Sequence, residues 1–266
     1  MAMFDSGVGG LTVLHECLVS LPQEDFLYLG DTDWFPYGTR EPARLRERIA
    51  AIAELLLGRG AKLLVIACNT ATAIGEDVAC AVAAEGGVEV VPVVEPQAEI
   101  AAAITVSGRV GVLATPNTVE SGAYRRALEV EGRALEVTEV EAPKLAPFIQ
   151  QGSPFDEGVM AMARAYCEPL KRADVDTLIL GCTHYPVVAP MLQRILGRDV
   201  RLVSGGHAVA AAVQRTLERA ELARPSAGEG TYDFLCTGDT DSFRELGTRF
   251  LQMPLGEVER VEIQAG

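Results

Sequence analysis

Two cysteines stand where a reacting thiol would have to stand. The stretch Asp176-Thr-Leu-Ile-Leu-Gly-Cys-Thr-His-Tyr-Pro186 is an apolar run that stops at Gly181 and hands the chain to Cys182, Thr183 and His184. An earlier stretch, Leu63-Leu-Val-Ile-Ala-Cys-Asn-Thr70, repeats the plan without a gap. Leu64 aligns with Leu178, Val65 with Ile179, Ile66 with Leu180, Ala67 with Gly181, Cys68 with Cys182 and Asn69 with Thr183. Short continuous apolar runs closed by polar residues read as strands buried on both faces of a parallel sheet. Ligands gather outside the carboxyl ends of such strands. Two similar units about one domain length apart therefore predict two lobes that face each other, one thiol each.

A thiol on each side of a small molecule suits one kind of chemistry. Removing hydrogen from a carbon beside a carboxylate needs a close, dry base, and inversion needs a second group to protonate the opposite face. One cysteine must begin each turnover as thiolate and the other as thiol, the roles exchanging with direction. A helix N-terminus expected just after each cysteine would stabilise a thiolate. Asp5 and His184 are the natural orienting or relay groups. Cys17, Cys80, Cys167 and Cys236 read as small buried hydrophobes. No metal is expected, since Cys182-Thr-His184 lacks paired ligand spacing and only His15 and His207 remain as other imidazoles. A redox disulfide lacks its Cys-x-x-Cys signature.

The composition narrows the class. In 266 residues, 48% hydrophobic with only 6% aromatic, an Ala/Val/Leu-rich α/β enzyme is expected. The balance of 23 basic against 37 acidic residues gives a net charge of −14, which repels phosphate backbones and argues against nucleic acid as a partner. No apolar stretch reaches the ~20 residues of a membrane span. Met1-Ala-Met-Phe-Asp5 has neither the basic segment nor the apolar region of a signal peptide, so no membrane association and a cytoplasmic location are expected.

Strands and helices alternate along the whole chain, the mark of an α/β protein. A clipped first strand, which leads us to expect a few residues upstream, runs into Asp5-Ser-Gly-Val-Gly-Gly10 and a helix through Leu11, Leu14, Leu18 and Leu21. The glycines permit anion contact at a helix start but not the dinucleotide fingerprint. Strand Asp25 to Gly30 leads to a turn-rich loop whose Pro36 and Gly38 hold Tyr37 as a wall or lid. Helix Glu41 to Gly60, the Cys68 strand, helix Ala71 to Ala84 and strand Val88 to Val94 complete the first half. Helix Gln97 to Val106, strand Arg109 to Ala114, loop Thr115 to Thr118, a helix through Tyr124, strand Ala134 to Val140 and helix Phe155 to Arg172 precede the Cys182 strand. A helix starting at Pro186, strand Val200 to Val203 and a return at Ser204-Gly-Gly206 follow. Helix Ala208 to Ala223, linker Arg224 to Gly230, strand Tyr232 to Cys236, helix Ser242 to Phe250 and strand Val258 to Ile263 should rejoin the first lobe. The expected division is 1–94 with 206–266 for the first lobe and 95–205 for the second.

Taken together, Phe4-Asp-Ser-Gly-Val-Gly-Gly-Leu11, Pro36-Tyr-Gly38, Ala67-Cys-Asn-Thr-Ala71, Ala114-Thr-Pro-Asn-Thr-Val119 and Leu180-Gly-Cys-Thr-His-Tyr-Pro186 closely resemble the glutamate racemases of the aspartate/glutamate racemase superfamily. The resemblance covers nearly the whole chain. It implies two pseudo-symmetric three-layer α/β lobes with mainly parallel sheets and an active site in the cleft between them. It also implies cofactor-independent interconversion of L- and D-glutamate, supplying D-glutamate for bacterial peptidoglycan, in a homodimer. Cys68 would act on D-glutamate and Cys182 on L-glutamate. Asp5, Ser6, Pro36, Tyr37, Gly38, Asn69, Thr70, Thr115, Thr118, Thr183 and His184 would hold the substrate or assist.

None of these positions is lysine or arginine, although glutamate carries two carboxylates. Hydroxyls, amides and backbone N–H must serve, as preorganised dipoles can. The chain departs from the family pattern at Gln150-Gln151 and Val203-Ser-Gly-Gly206, where acids are usual. The pH dependence is therefore expected to rest on the two thiols and His184. A sister racemase acting on aspartate, a lyase using one thiol, and a binding protein that keeps the cleft are the rival readings.

Overall fold

Every sheet contact in the computed structural model is parallel, as the continuous apolar strands require. The structure describes residues 1–151, 156–225 and 228–264. Phe155, the expected start of one helix, and Ser226-Ala227 of the expected linker lie outside the described residues.

The chain begins β1 (Ala2–Asp5), α1 (Leu11–Ser20), β2 (Phe26–Gly30), α2 (Pro42–Gly58), β3 (Leu63–Ile66), α3 (Asn69–Glu85), β4 (Glu89–Val91). It continues α4 (Val94–Ile104), β5 (Arg109–Ala114), α5 (Pro116–Ser121), α6 (Ala123–Val130), β6 (Glu136–Glu141), α7 (Leu145–Gln150), α8 (Glu157–Arg172), β7 (Thr177–Gly181), α9 (Ala189–Leu196), β8 (Arg201–Val203). It closes with α10 (Gly205–Arg219), β9 (Tyr232–Cys236), α11 (Thr240–Leu251) and β10 (Val258–Arg260).

Two sheets form. One has the order β10-β9-β2-β1-β3-β4 and the other β6-β5-β7-β8. The run β2-β1-β3-β4 and the run β6-β5-β7-β8 are the same topology, so β1 corresponds to β5 and β3 to β7. The two lobes are pseudo-symmetric, and β9 and β10 extend the first beyond β2. In both, the chain reverses its direction of spread between the first and third strands of the unit. A crevice opens at that point, and it is where Asp5 and Cys68 emerge in one lobe and Thr115 and Cys182 in the other.

Burial on both faces holds these strands in place. Met3, Val65 and Ala67 pack into the apolar cluster that continues into the second lobe, while Phe4, Leu64, Ile66 and Cys68 pack against Leu45, Ile49 and Ile52 of α2. All residues of β3 and β7 are buried.

Several element limits differ from the sequence reading, each for a local reason. Strand β4 ends at Val91 because α4 starts at Val94 and takes Pro96 into its first turn, where a missing N–H is not missed. Thr115 to Thr118, read as a loop, is the cap and first turn of α5, with Pro116 leading it. Pro186 lies in a 3₁₀ turn, Tyr185–Val188, and the α-helix begins only at Ala189. Gly205 and Gly206, read as a return crossing, already belong to α10. Strand β10 spans only Val258–Arg260, short of the expected Ile263. Among the described residues no helix is long and apolar enough to cross a membrane.

Candidate active site

Ser6, Pro36, Tyr37, Gly38, Cys68, Asn69, Thr70, Thr115, Cys182, Thr183 and His184 line one cavity between the lobes, with Phe35 and Ala146. The two remaining expected residues support it from behind. Asp5 is fully buried, accepts from Gly7 N–H at 3.0 Å, and accepts from the Thr183 hydroxyl of the other lobe at 3.1 Å. Thr118 closes a triangle of hydroxyls across the cleft: Thr70 to Thr115 at 2.8 Å, Thr115 to Thr118 at 3.0 Å, Thr118 to Thr70 at 3.3 Å.

Close approach of the lobes requires glycine at two points. A Cβ on Gly9 would stand 2.3 Å from the Thr183 hydroxyl oxygen and 2.5 Å from His184 Nδ1, and one on Gly38 would stand 2.5 Å from Thr115 Cβ. Asn117 clips the same rim from the second lobe, donating to the carbonyls of Tyr37 at 2.9 Å and Arg40 at 2.8 Å. The cavity measures about 20 Å³ and is partly open to solvent, room for a water molecule but not an amino acid.

The two cysteines differ in their supports. Cys68 caps α3, its sulfur accepting from Ala71 N–H at 3.4 Å, so it does face a helix N-terminus. Cys182 does not: the chain turns after it into the 3₁₀ segment, and no α-helix starts there. Net stabilisation of a resting thiolate, expected from helix ends, is absent at both. Burial, reinforced by the Asp5 carboxylate, pushes the Cys68 thiol up to about 12 and raises Cys182 likewise. Burial also raises Asp5, against the pull of the Gly10 and Gly7 N–H groups and the Thr183 hydroxyl.

His184 sits between aromatic rings, 5.2 Å from the centroid of Phe35 and 5.2 Å from that of Phe250. That burial lowers it to about 3, so the ring is neutral at any physiological pH. Its Nε2 faces Gln150 Oε1 at 2.9 Å, and its Nδ1 faces Cys182 sulfur at 3.8 Å. With an amide oxygen facing it, Nε2 would carry the ring hydrogen and Nδ1 would present its lone pair to Cys182. Gln150, a departure from the family's acid, is thus the contact on which the tautomer of His184 depends. Ser204, the other departure, stands at the start of α10 and outside the cavity lining.

Tyr37 presents its ring to the cleft but turns its hydroxyl away, donating to Asp31 at 2.5 Å. Phe35, Ala146, Gln150, Asn117 and Thr12, whose hydroxyl donates to the Thr183 carbonyl at 3.2 Å, are site residues that the sequence reading did not assign. Phe35 adjoins Pro36-Tyr37-Gly38, Asn117 lies between Thr115 and Thr118, and Gln150 stands out as a departure from the family pattern, so these could have been drawn in; Thr12 and Ala146 carry no local signal.

A family model described as Asp/Glu/Hydantoin racemase matches residues 14–213, and the chain belongs to this family. Relatives at 40% and 42% identity are glutamate racemases. Over 265 residues it is 40% identical to the glutamate racemase of Geobacter metallireducens, spanning 100% of this chain and 97% of that one. Over 264 residues it is 42% identical to that of Mycobacterium tuberculosis, spanning 98% and 95%. The crystal structure of glutamate racemase from Francisella tularensis subsp. tularensis in complex with D-glutamate superposes with a TM-score of 0.92 at 30% identity, covering 100% of this chain and 98% of that one.

Proposed function

We propose that the protein interconverts L- and D-glutamate without a cofactor, the α-hydrogen leaving to one of Cys68 and Cys182 and returning from the other. The observation that carries this reading is the pair of corresponding strand-end thiols, one from each pseudo-symmetric lobe, lining one cavity. Substrate must enter a wider cleft and the lobes must close on it, because a cavity this small cannot admit it. Closure removes water, which strengthens every dipole that faces the carboxylates and the developing negative charge.

Each thiol has a polar neighbour of its own. The Asp5 carboxylate stands beside Cys68, and the His184 Nδ1 lone pair faces Cys182. The bound α-ammonium group adds a positive charge next to the sulfurs and lowers the cost of a thiolate that burial otherwise opposes. A thiolate formed against so high a pKa is a strong base, matched to a weakly acidic C–H. The carboxylates would be held by the hydroxyls of Ser6, Thr70, Thr115 and Thr183 and by backbone N–H groups. The two lobes would comprise 1–94 with 206–266 and 95–205. Service to peptidoglycan synthesis in the cytoplasm, as a homodimer, completes the proposal; sedimentation showing only monomer at working concentration would refute the dimer.

The test is direct. Pure protein incubated with L-glutamate and no added cofactor should bring the optical rotation to zero, while L-aspartate stays unchanged. Racemised aspartate would favour the sister activity, and glutamate bound without exchange of its α-hydrogen would make the chain a binding protein. The pH dependence follows from the thiols. Because their folded pKa values are raised, the thiolate fraction grows with pH, and kcat/KM should climb from pH 6 to 9 without a plateau. His184, lowered to about 3, should leave no break near 6.5, which corrects the expectation that it would shape the profile. A plateau already reached by pH 8 would contradict the buried-thiol reading.

A further inference from the structure

We infer that Gln97 is a positioning residue that sets the separation of the two thiols. The inference rests on the two-thiol reading of the site and concerns a side chain that lines no part of the cavity. Gln97 lies on α4 and is fully buried. A primary amide has two acceptor sites and two donor hydrogens, and all four are engaged. Its Oε1 accepts from Asn69 Nδ2 at 2.8 Å and from the Tyr124 hydroxyl at 2.5 Å. Its Nε2 donates to the Leu180 carbonyl at 3.2 Å and the Val203 carbonyl at 3.4 Å. Asn69 Nδ2 also donates to the Tyr124 hydroxyl at 2.6 Å, so the cluster is closed on itself.

The partners explain what the amide is for. Asn69 immediately follows Cys68 at the start of α3. Leu180 lies two residues before Cys182 at the end of β7. One side chain therefore ties the residue after the first thiol to the strand end beneath the second, across the boundary between the lobes. Together with the Tyr124 hydroxyl it consumes the two Asn69 amide hydrogens, so Asn69 meets a ligand through its backbone or its amide oxygen. In-line transfer between two opposed groups depends steeply on their spacing, with a displacement of about 1 Å costing roughly 10²-fold in rate.

The experiment measures racemisation and α-deuteration of the remaining substrate enantiomer together, in heavy water, for wild type, Gln97→Leu, Gln97→Glu and Tyr124→Phe. In Gln97→Leu the first thiol still removes hydrogen but the second stands too far to return it. Expected are a fall in kcat of about 10²-fold, a change in KM of less than about threefold, and a rise of about tenfold in the ratio of deuteration to racemisation. Tyr124→Phe, which keeps the amide and loses one hydroxyl, should move that ratio the same way by less. Gln97→Glu turns an ionised oxygen on the Leu180 and Val203 carbonyls, while its protonated form regains one donor. Its activity relative to wild type should therefore rise as the pH falls from 8 to 6. A merely structural role would lower deuteration and racemisation in proportion, and an unchanged ratio in Tyr124→Phe together with a flat pH response in Gln97→Glu overturns the inference even if Gln97→Leu fails to fold. Wild type is measured first: a chain that exchanges no α-hydrogen refutes the proposed function, whereas normal wild type with unchanged ratios refutes the positioning role alone.

Discussion

Replacing Cys182 by alanine should abolish racemisation in both directions, by about 10³-fold or more, yet leave one enantiomer able to exchange hydrogen with solvent. The reason is the pseudo-symmetry of the two lobes. Cys68 and Cys182 end corresponding strands of sheets that face each other, so they approach the α-carbon from opposite sides. In Cys182→Ala, L-glutamate loses its base. Cys68 can still take the hydrogen of D-glutamate and, after its thiol exchanges with solvent, return deuterium to the same face. Proton NMR in heavy water should show slow α-deuteration of D-glutamate without L-product, and Cys68→Ala should give the mirror result with L-glutamate. Equal loss of exchange for both enantiomers in each variant would leave the face assignment without support. Near-normal racemisation by either variant would sink the two-thiol mechanism.

The parts of the site that a single sequence reveals are those fixed by local order. The alignment of Leu64-Val-Ile-Ala-Cys68 with Leu178-Ile-Leu-Gly-Cys182 exposes the repeat because a strand buried on both faces must be apolar throughout, and its end must not be. Ser6, Thr70, Thr115 and Thr183 follow from their place just past such ends. The same logic found β9 with its limits and β10 from its start but not its end, since an edge strand carries a weaker pattern, as the exposed residues of β10 illustrate.

What escaped depends on closure of the lobes. Asn117 lies eighty residues from its partner Tyr37, and Gln97 is one glutamine in an alanine-rich helix. The motif that holds Asn117 marks its place but not its partner, and no periodicity or spacing marks Gln97. The thiol pKa values escaped for a related reason. A helix start can be read from sequence, but the burial that outweighs it is a property of the assembled cleft, and at Cys68 both act with burial the larger. Tyr37 shows the intermediate case: its loop was legible, whereas the direction of its hydroxyl was decided by Asp31 and Arg48.

Replacing Arg48 by methionine should destabilise the fold by about 3–5 kcal/mol, because it leaves the Asp31 carboxylate charged, buried and without its counterion. Asp31 is wholly buried and Arg48 nearly so. The guanidinium meets the carboxylate with two bonds, Nε to Oδ2 at 2.9 Å and Nη2 to Oδ1 at 2.6 Å, and its Nη1 donates to the Ile263 carbonyl at 2.9 Å. Asp31 also accepts from the hydroxyls of Tyr37 at 2.5 Å and Thr237 at 2.9 Å, while the Trp34 ring covers the guanidinium at 5.1 Å. Thermal unfolding should fall by roughly 6–20 °C for a chain of this size. Asp31→Leu combined with Arg48→Met should recover much of that loss, since a buried ion pair replaced by apolar groups of similar volume is often near neutral. Activity should not recover with it. Tyr37 then has no acceptor for its hydroxyl, and the Pro36-Tyr37-Gly38 wall loses the anchor that holds it against Thr115, so KM for glutamate should stay raised in the double variant. A double variant as unstable as Arg48→Met would show that packing around the pair, rather than the unpaired charge, carries the effect; one that regains wild-type KM would remove Asp31 from any part in positioning the wall.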